Sequence, residues 1–129
     1  MALNPAALAA LDRKPYISLV TFRRSGDAVQ TPVWFAAYDG KLYVFSEADA
    51  WKVKRLRNDQ RVRVAACSVR GRVSGEWFEG KGSRIEDPAT EQRAYAALRA
   101  KYGWKMRLTD FVSKLAGRID GRAVLELEI

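Results

Sequence analysis

The chain has 129 residues, of which 23 are basic and 15 are acidic, so its formal charge is +8. It contains no histidine, which excludes Ser-His-Asp and Cys-His catalysis, His-ligated metal sites and general-base catalysis by histidine. Its single cysteine, Cys67, excludes an intramolecular disulfide framework, a CxxC redox pair and a Cys-rich zinc site. We therefore expect no metal site in this chain.

The sequence gives no sign of a membrane span or an export signal. Its apolar runs are far shorter than the roughly 18–20 residues that a membrane span needs. The apolar segment Ala6–Leu11 has no basic region before it, as a signal peptide would. A lone cysteine fits a reducing compartment, and no repeat or linker divides the chain. We expect a cytoplasmic protein of one domain, residues 1–129, without membrane contact.

The first half of the chain predicts a short helix followed by three strands. Asn4 and Pro5 are typical of a helix start, and this helix extends to about Leu11. The next predicted elements are a strand over Tyr16–Phe22, a turn over Arg24–Asp27, a strand over Val29–Tyr38, a hairpin turn at Asp39–Gly40 and a strand over Lys41–Phe45. Pro32 cannot donate a ladder hydrogen bond, so the second strand needs an edge position, a bulge or a break there.

The second half of the chain returns to strands after a basic helix. Ser46–Asp49 has the composition of a helix start, and Val53 and Leu56 at helical spacing predict a helix over Ala50–Asn58. The later predicted elements are strands over Arg61–Ser68 and Glu76–Ile85, helices over Ala89–Tyr102 and Thr109–Leu115, and a strand over Arg122–Ile129.

Glycines and a helix cap add detail to these later elements. Gly80 and Gly82 interrupt the fifth strand and predict a bulge or a close approach of two backbones. Asp87 and Pro88 are typical of the N-cap and first position of a helix, and Gly103 is typical of the residue after one. Six strands with helices after the third and the fifth predict a mainly β protein, an antiparallel barrel with peripheral helices.

The positive charge is concentrated in one segment. Residues 52–72 contain eight basic residues and one acid, Asp59, which gives this segment a charge of +7. Lys52, Lys54 and Arg55 lie in the predicted first turns of the helix, where cations oppose the helix dipole at a cost of about 0.3–1 kcal/mol each. A bound phosphate would reverse this effect. The alternatives are a solvated basic face and a nucleic-acid surface, although no RNP-type motif or GXXG loop accompanies the charge.

Several other residues allow two interpretations. Thr31–Phe35 can be an edge strand with apolar packing, or a broken strand whose free backbone groups bind the edge of a planar heterocycle such as a flavin. Trp51 and Trp77 could stack on such a ring, but aromatic residues at these positions are more often in the core. We expect Tyr95 and Tyr102 in the core, and Cys67 as an inert, small apolar residue. The pairs Glu76/Glu79 and Asp110/Asp120 are expected to be solvated charges rather than catalytic carboxylates.

Taken together, these segments resemble a known family. Its pattern is carried by Tyr16–Arg23, Thr31–Phe35, Lys41–Ser46, Lys52–Asp59, Arg61–Ala65 and Lys101–Gly103. The chain resembles the pyridoxamine 5′-phosphate oxidase-like, FMN-binding split-barrel superfamily, and most of all its branch of PPOX-class F420-dependent enzymes. The resemblance covers roughly residues 10–129, and the combination of TPVWF with KVKRLRND at this spacing is its most specific part.

The resemblance implies a fold, a cofactor and a set of binding residues. It implies a six-stranded split barrel that works as a homodimer, with two cofactor sites at the interface. The implied cofactor is FMN or coenzyme F420, a deazaflavin, and the implied activity is an oxidoreductase that transfers hydride to or from a small organic molecule. Because the cofactor performs the chemistry, no catalytic side chain can be named. The residues implied to bind the cofactor are Thr31, Pro32, Val33 and Trp34 at the ring, and Phe45, Ser46, Lys52, Lys54 and Arg55 at the ribityl chain and phosphate.

Two other functions stay open at this point. The first is a non-enzymatic flavin or haem carrier or sensor with the same fold. The second is a basic, nucleic-acid-binding β-barrel, although we consider nucleic acid an unfavoured partner because the charge forms one cluster rather than a stripe along the chain.

Overall fold

The computed structural model describes residues 5–12, 14–47, 51–102 and 122–129. Within these ranges the protein has three helices and seven strands, and the strands form one antiparallel sheet in the order β2-β1-β5-β6-β7-β4-β3. In chain order the elements are α1 (Pro5–Asp12), β1 (Tyr16–Phe22), β2 (Ala28–Val33), β3 (Phe35–Tyr38), β4 (Lys41–Glu47), α2 (Trp51–Asn58), β5 (Arg61–Cys67), β6 (Phe78–Arg84), α3 (Pro88–Tyr102) and β7 (Arg122–Glu128). The mainly β class and the curled, split-barrel form are confirmed.

The predicted second strand, Val29–Tyr38, is wrong as a single element. The structure breaks it at Trp34 into β2 and β3, so the described residues contain seven strands rather than six. Pro32 lies in β2 opposite Ser18 of β1, and β2 is an edge of the sheet, the position where a proline costs least. β3 forms the other edge of the sheet, so residues 28–38 supply both edge strands. The two edges meet at Trp34, which joins β2 to β3.

The barrel encloses a continuous apolar core. Alternate residues of the strands point into it, among them Leu19, Val64 and Leu125, each with none of its surface exposed. α2 contributes Val53 and Leu56 to this core, and α1 contributes Ala7 and Leu11. α3 packs outside the barrel, where Ala94 and Leu98 are fully buried. None of the helices within the described ranges is long and apolar enough to cross a membrane.

Two turn and cap predictions are confirmed by backbone geometry. Asp39 and Gly40 join β3 to β4 with φ values of 53° and 76°, the pair of positive values that a two-residue type I′ hairpin requires. Asp87 caps α3, because its carboxylate accepts hydrogen bonds from the Thr90 backbone N–H at 3.1 Å and the Thr90 hydroxyl at 2.6 Å.

Other element predictions need correction. Ser46 and Glu47 belong to β4, paired with Ala123 and Arg122, so they are not the start of the next helix. Gly80 pairs with Val62 in unbroken register, which excludes a bulge there and leaves the close backbone approach. The predicted roles of Asn4 and Gly103, the helix over Thr109–Leu115 and the Asp110/Asp120 pair lie outside the described residues.

Candidate functional site

A cleft of about 310 Å³ opens beside the break between β2 and β3. We call it the Trp34 cleft, and its lining consists of Tyr16, Pro32, Val33, Trp34, Phe45, Lys52 and Val69. Five of these residues, at positions 32, 33, 34, 45 and 52, are among those that the sequence predicted to bind a cofactor. The fold therefore brings the second-strand segment, the β4 segment and the start of α2 to one place.

Packing from outside the barrel holds the aromatic walls of the Trp34 cleft. Trp34 and Phe45 pack against the buried cluster of Ala36 in β3 and Leu98 in α3. The Phe45 and Tyr95 rings meet edge to face with centroids 5.9 Å apart. On the other side, the turn after β5 passes close to Pro32, and Gly71 in this turn has a φ of 86°, which favours glycine. This turn brings Val69 to the cleft.

The lining determines what the Trp34 cleft can hold. Its walls are mainly apolar and aromatic, and Lys52 is the single charged residue among the described lining residues. Flat aromatic walls suit a planar ring, and an ammonium group suits an anion such as a phosphate. The volume lies at the small end of the about 300–1,000 Å³ that is typical of small-molecule sites.

Two predicted binding residues lie near the cleft but do not line it. Thr31 is half-buried in β2 and pairs with Leu19. Ser46 is buried in β4 and pairs with Ala123. Their neighbours Pro32 and Phe45 line the cleft instead.

The basic residues of α2 separate into two groups. Successive residues of a helix turn by about 100°, so Lys52 and Lys54 lie on nearly opposite faces. Lys52 reaches the Trp34 cleft, while Lys54 and Arg55 line a second cavity of about 530 Å³. We call this second cavity the basic groove; its lining is Phe22, Arg23, Arg24, Trp51, Lys54, Arg55 and Asn58.

The observed bounds of α2 also change the expected dipole effect. The helix begins at Trp51, so Lys52 and Lys54 lie within its first turn, whereas Arg55 lies in its last turn. A cation in the last turn interacts favourably with the helix dipole. The unfavourable dipole effect that the sequence suggested for three residues therefore does not hold for Arg55.

The Arg55 guanidinium is held by a hydrogen bond to Thr21 and lies near the like charge of Arg23. Its Nη1 donates a hydrogen bond of 3.3 Å to the Oγ1 of Thr21, which is buried. Partial burial, and then the neighbouring charge of Arg23, lower the pKa of Arg55. Since an arginine stays protonated in either case, the consequence is a concentration of positive charge in the groove.

Sequence reasoning assigned no binding role to several lining residues. Tyr16 and Val69 line the Trp34 cleft, and Arg23 and Arg24 line the basic groove. The two adjacent arginines in the turn after β1 indicate positive charge there. Their proximity to residues 54 and 55 could not be predicted, because the two segments are far apart in the sequence.

The structure tests the sequence predictions for Trp51, Trp77 and Cys67. Trp51 and Trp77 are not core residues, because 67% and 38% of their surfaces are exposed. Cys67 is buried, and this burial raises the pKa of its thiol, which agrees with an inert role. The described part of the chain holds no group of three or more His, Cys, Asp or Glu residues that could bind a metal ion.

Comparison with known proteins establishes the family. The sequence profile of pyridoxamine 5′-phosphate oxidase matches residues 3–129. The chain belongs to this family. A search among curated protein sequences finds no significant match.

Solved structures support the same fold at low sequence identity. A conserved hypothetical protein of Mycobacterium tuberculosis superposes with a TM-score of 0.70 at 21% identity, over 98% of this chain and 80% of the other. HutZ, the haem storage protein of Vibrio cholerae, superposes with a TM-score of 0.70 at 14% identity, over 99% of this chain and 90% of HutZ. A NimC/NimA family protein of Clostridium acetobutylicum superposes with a TM-score of 0.61 at 16% identity, over 95% of this chain and 77% of the other. These identities are too low to transfer a ligand or an activity.

Proposed function

We propose that this protein binds FMN or coenzyme F420 in the Trp34 cleft and uses it as an oxidoreductase on a small organic substrate. The observation that carries this proposal is the convergence of Pro32, Trp34, Phe45 and Lys52 on one cleft. Membership of the pyridoxamine 5′-phosphate oxidase family supports it.

The residues present fit such a cofactor. Pro32, Trp34 and Phe45 offer flat apolar surface for a tricyclic ring, and Lys52 offers a cation for its phosphate. The bound cofactor would supply hydride transfer, which needs no histidine. The protein's own residues would orient the ring, keep water from it, and hold the phosphate through Lys52.

The first test is direct binding to purified protein. FMN and coenzyme F420 are titrated separately, with quenching of cofactor fluorescence as the readout. We expect Lys52→Ala to weaken binding about 10- to 100-fold, since a hydrogen bond to a charged group is worth about 1.5–3 kcal/mol. Lys81→Ala, which removes an exposed lysine of β6, is the matched control and should bind as the wild type does. Failure of both cofactors to bind would overturn the proposal.

The second test concerns catalysis. The protein is mixed with reduced FMN or reduced F420 and a set of small hydride acceptors, such as quinones, and oxidation is followed by absorbance. We expect the protein to accelerate oxidation with at least one acceptor, and Lys52→Ala to reduce this rate at limiting cofactor. A protein that binds the cofactor but accelerates no transfer is instead a carrier or sensor.

A haem carrier is the alternative within the fold, because HutZ is a haem storage protein. The residues of this chain fit haem less well. The chain has no histidine to ligate the iron, and its one cysteine is buried with a raised thiol pKa. Titration with haemin distinguishes the two: a sharp Soret band at stoichiometric haemin, together with no binding of FMN or F420, would favour the haem carrier.

We further propose that the protein acts as a homodimer with its cofactor sites at the interface. Val69 lines the Trp34 cleft with 63% of its surface exposed, and Trp77 is exposed on the same chain. A second copy would cover such apolar surface and close the cleft. Light scattering should give the mass of two chains, and Val69→Asp should weaken both dimerisation and FMN binding. A monomer that binds cofactor at full affinity would contradict the dimer proposal.

A further inference from the structure

The basic groove is a cavity separate from the Trp34 cleft. Its volume is about 530 Å³, and the two cavities share no lining residue. Arg23 and Arg24 come from the turn after β1, whereas Lys54 and Arg55 come from α2. Two elements that are distant in sequence thus direct four cations to one concave surface, and no acidic residue lines it.

These four cations have no internal counter-charge within the described part of the chain. None of them forms an ion pair there. Two nearby acids pair with other arginines, because Asp59 binds Arg61 at 2.6 Å and Glu79 binds Arg63 at 3.3 Å. A third, Asp27 in the turn after β1, accepts a hydrogen bond from the Ser25 hydroxyl at 3.1 Å. Thr21 holds the Arg55 guanidinium in place although it lies near the like charge of Arg23. Such an arrangement is favourable once an anion occupies the groove.

Aromatic rings line the same groove. Trp51 exposes 67% of its surface, and the Lys54 ammonium lies 4.6 Å from the centre of its ring. The Phe22 ring also lines the groove, and the guanidinium of Arg61 lies 4.6 Å from its centre. An exposed tryptophan beside cations is a stacking surface for a planar ring that carries negative charge.

We propose that the basic groove binds a nucleotide, with the phosphates on Arg23, Arg24 and Arg55 and the base stacked on Trp51. This second site goes beyond the cofactor site of the Trp34 cleft, because its lining is different. A free nucleotide and a nucleotide within a single strand of nucleic acid share this chemistry, and the test distinguishes these two sources.

The test measures ADP binding to the purified protein by calorimetry and by quenching of tryptophan fluorescence. Arg23→Ala/Arg24→Ala changes two exposed turn residues and should weaken ADP binding at least about tenfold, since contacts to charged groups are lost. Trp51→Ala should weaken it roughly 5- to 100-fold, the range for loss of one stacked base. Arg70→Ala/Arg72→Ala removes two exposed turn arginines outside the groove and is the matched control, with unchanged affinity. Circular dichroism checks that each variant is folded.

Two comparisons identify the source of the nucleotide and the role of the base. Tighter binding of oligo-dT than of ADP, with a steep loss of affinity in salt, indicates single-stranded nucleic acid, and the reverse indicates a free nucleotide. Pyrophosphate should bind more weakly than ADP. If pyrophosphate binds as tightly as ADP and Trp51→Ala has no effect, the groove recognises charge alone and the nucleotide proposal is wrong.

The two sites are tested independently. Arg23→Ala/Arg24→Ala should leave FMN and F420 affinity unchanged, and ADP should bind in the presence of saturating cofactor. Displacement of ADP by FMN that Lys52→Ala abolishes would show that both ligands share the Trp34 cleft, and it would overturn the proposal even if the cofactor binds as expected. Absence of any ADP or oligo-dT binding would overturn it as well, without affecting the proposed cofactor site.

Discussion

Gly80 is the position where one added methyl group should be most damaging. β6 lies between β5 and β7, and an ideal Cβ on Gly80 would lie 2.1 Å from the backbone oxygen of Glu128 and 2.7 Å from the Cγ2 of Ile129. Since carbon and oxygen atoms in contact stand more than 3 Å apart, β7 would have to move by about 1 Å. The obstacle is backbone within a sheet, so no side-chain rotation relieves it.

The cost of Gly80→Ala follows from that displacement. Overpacking in a well-packed region costs about 1–3 kcal/mol, and separation of β6 from β7 weakens ladder hydrogen bonds worth about 1 kcal/mol each. We expect a loss of about 3 kcal/mol or more in the free energy of unfolding, a large part of the about 5–15 kcal/mol that typically stabilises a domain.

Urea unfolding, followed by tryptophan fluorescence, measures this loss against two other glycines. At Gly75 the nearest heavy atom to an added Cβ is the Ala66 Cβ at 3.4 Å, so Gly75→Ala should change stability by less than about 1 kcal/mol. At Gly82 the nearest is the Leu127 Cδ2 at 2.7 Å, the end of a flexible side chain, so Gly82→Ala should fall between the two. A Gly80→Ala protein as stable as Gly75→Ala would refute the close approach of β6 and β7, whereas insoluble Gly80→Ala beside folded Gly75→Ala would support it.

Two further predictions concern pH. Burial lowers the pKa of Lys101 to about 8, and its Nζ lies 3.3 Å from the centre of the Phe35 ring. The folded protein then binds fewer protons than the unfolded chain between pH 8 and about 10.4, so the free energy of unfolding should rise over that range. Urea titrations at several pH values measure this rise, and Lys101→Met should abolish it. Hydrogen bonds from Thr90 lower the pKa of Asp87, so its stabilising effect should be present above about pH 4, the ordinary range of aspartate, and be lost as pH falls through the folded pKa. Asp87→Ala should lower the melting temperature more at pH 7 than at pH 2.5. Asp87→Asn, which keeps the cap, should lower the melting temperature at pH 7 less than Asp87→Ala does. An equal effect of Asp87→Ala at both pH values would contradict this prediction.

The strands were predictable where the local pattern alone determines them. Tyr16–Phe22 has the predicted bounds, and Asp39–Gly40 forms the predicted hairpin because few other residues accept two successive positive φ values. Ser46 was misassigned because serine before an acidic residue is typical of a helix start, yet its pairing with Ala123 of β7 extends the strand. That partner lies 77 residues later in the chain, so no local pattern could reveal it.

The candidate site was predictable by residue type but not by grouping. The sequence indicated that Lys52, Lys54 and Arg55 belong near a phosphate, and their positions on α2 direct Lys52 to one cavity and the other two to another. The helical angle between Lys52 and Lys54 was available from the sequence. The contribution of Arg23 was not, because only the folded sheet brings the turn after β1 beside α2.

The break at Trp34 links the fold to the candidate site. An uninterrupted strand over residues 28–38 could belong to only one edge of the sheet, and its side chains would alternate between the core and solvent. Trp34 lies outside both ladders, so β2 ends and β3 begins there on opposite edges of the sheet. The Trp34 side chain lines the cleft and also packs against the buried Ala36 and Leu98. Pro32 does not cause this break, because β2 is an edge of the sheet and its pairing with β1 continues past Pro32 to Val33. Trp34, where the strand pairing is interrupted, is therefore also one wall of the cleft. For this reason we expect that restoring a regular strand over residues 28–38 would weaken cofactor binding before it lowers stability.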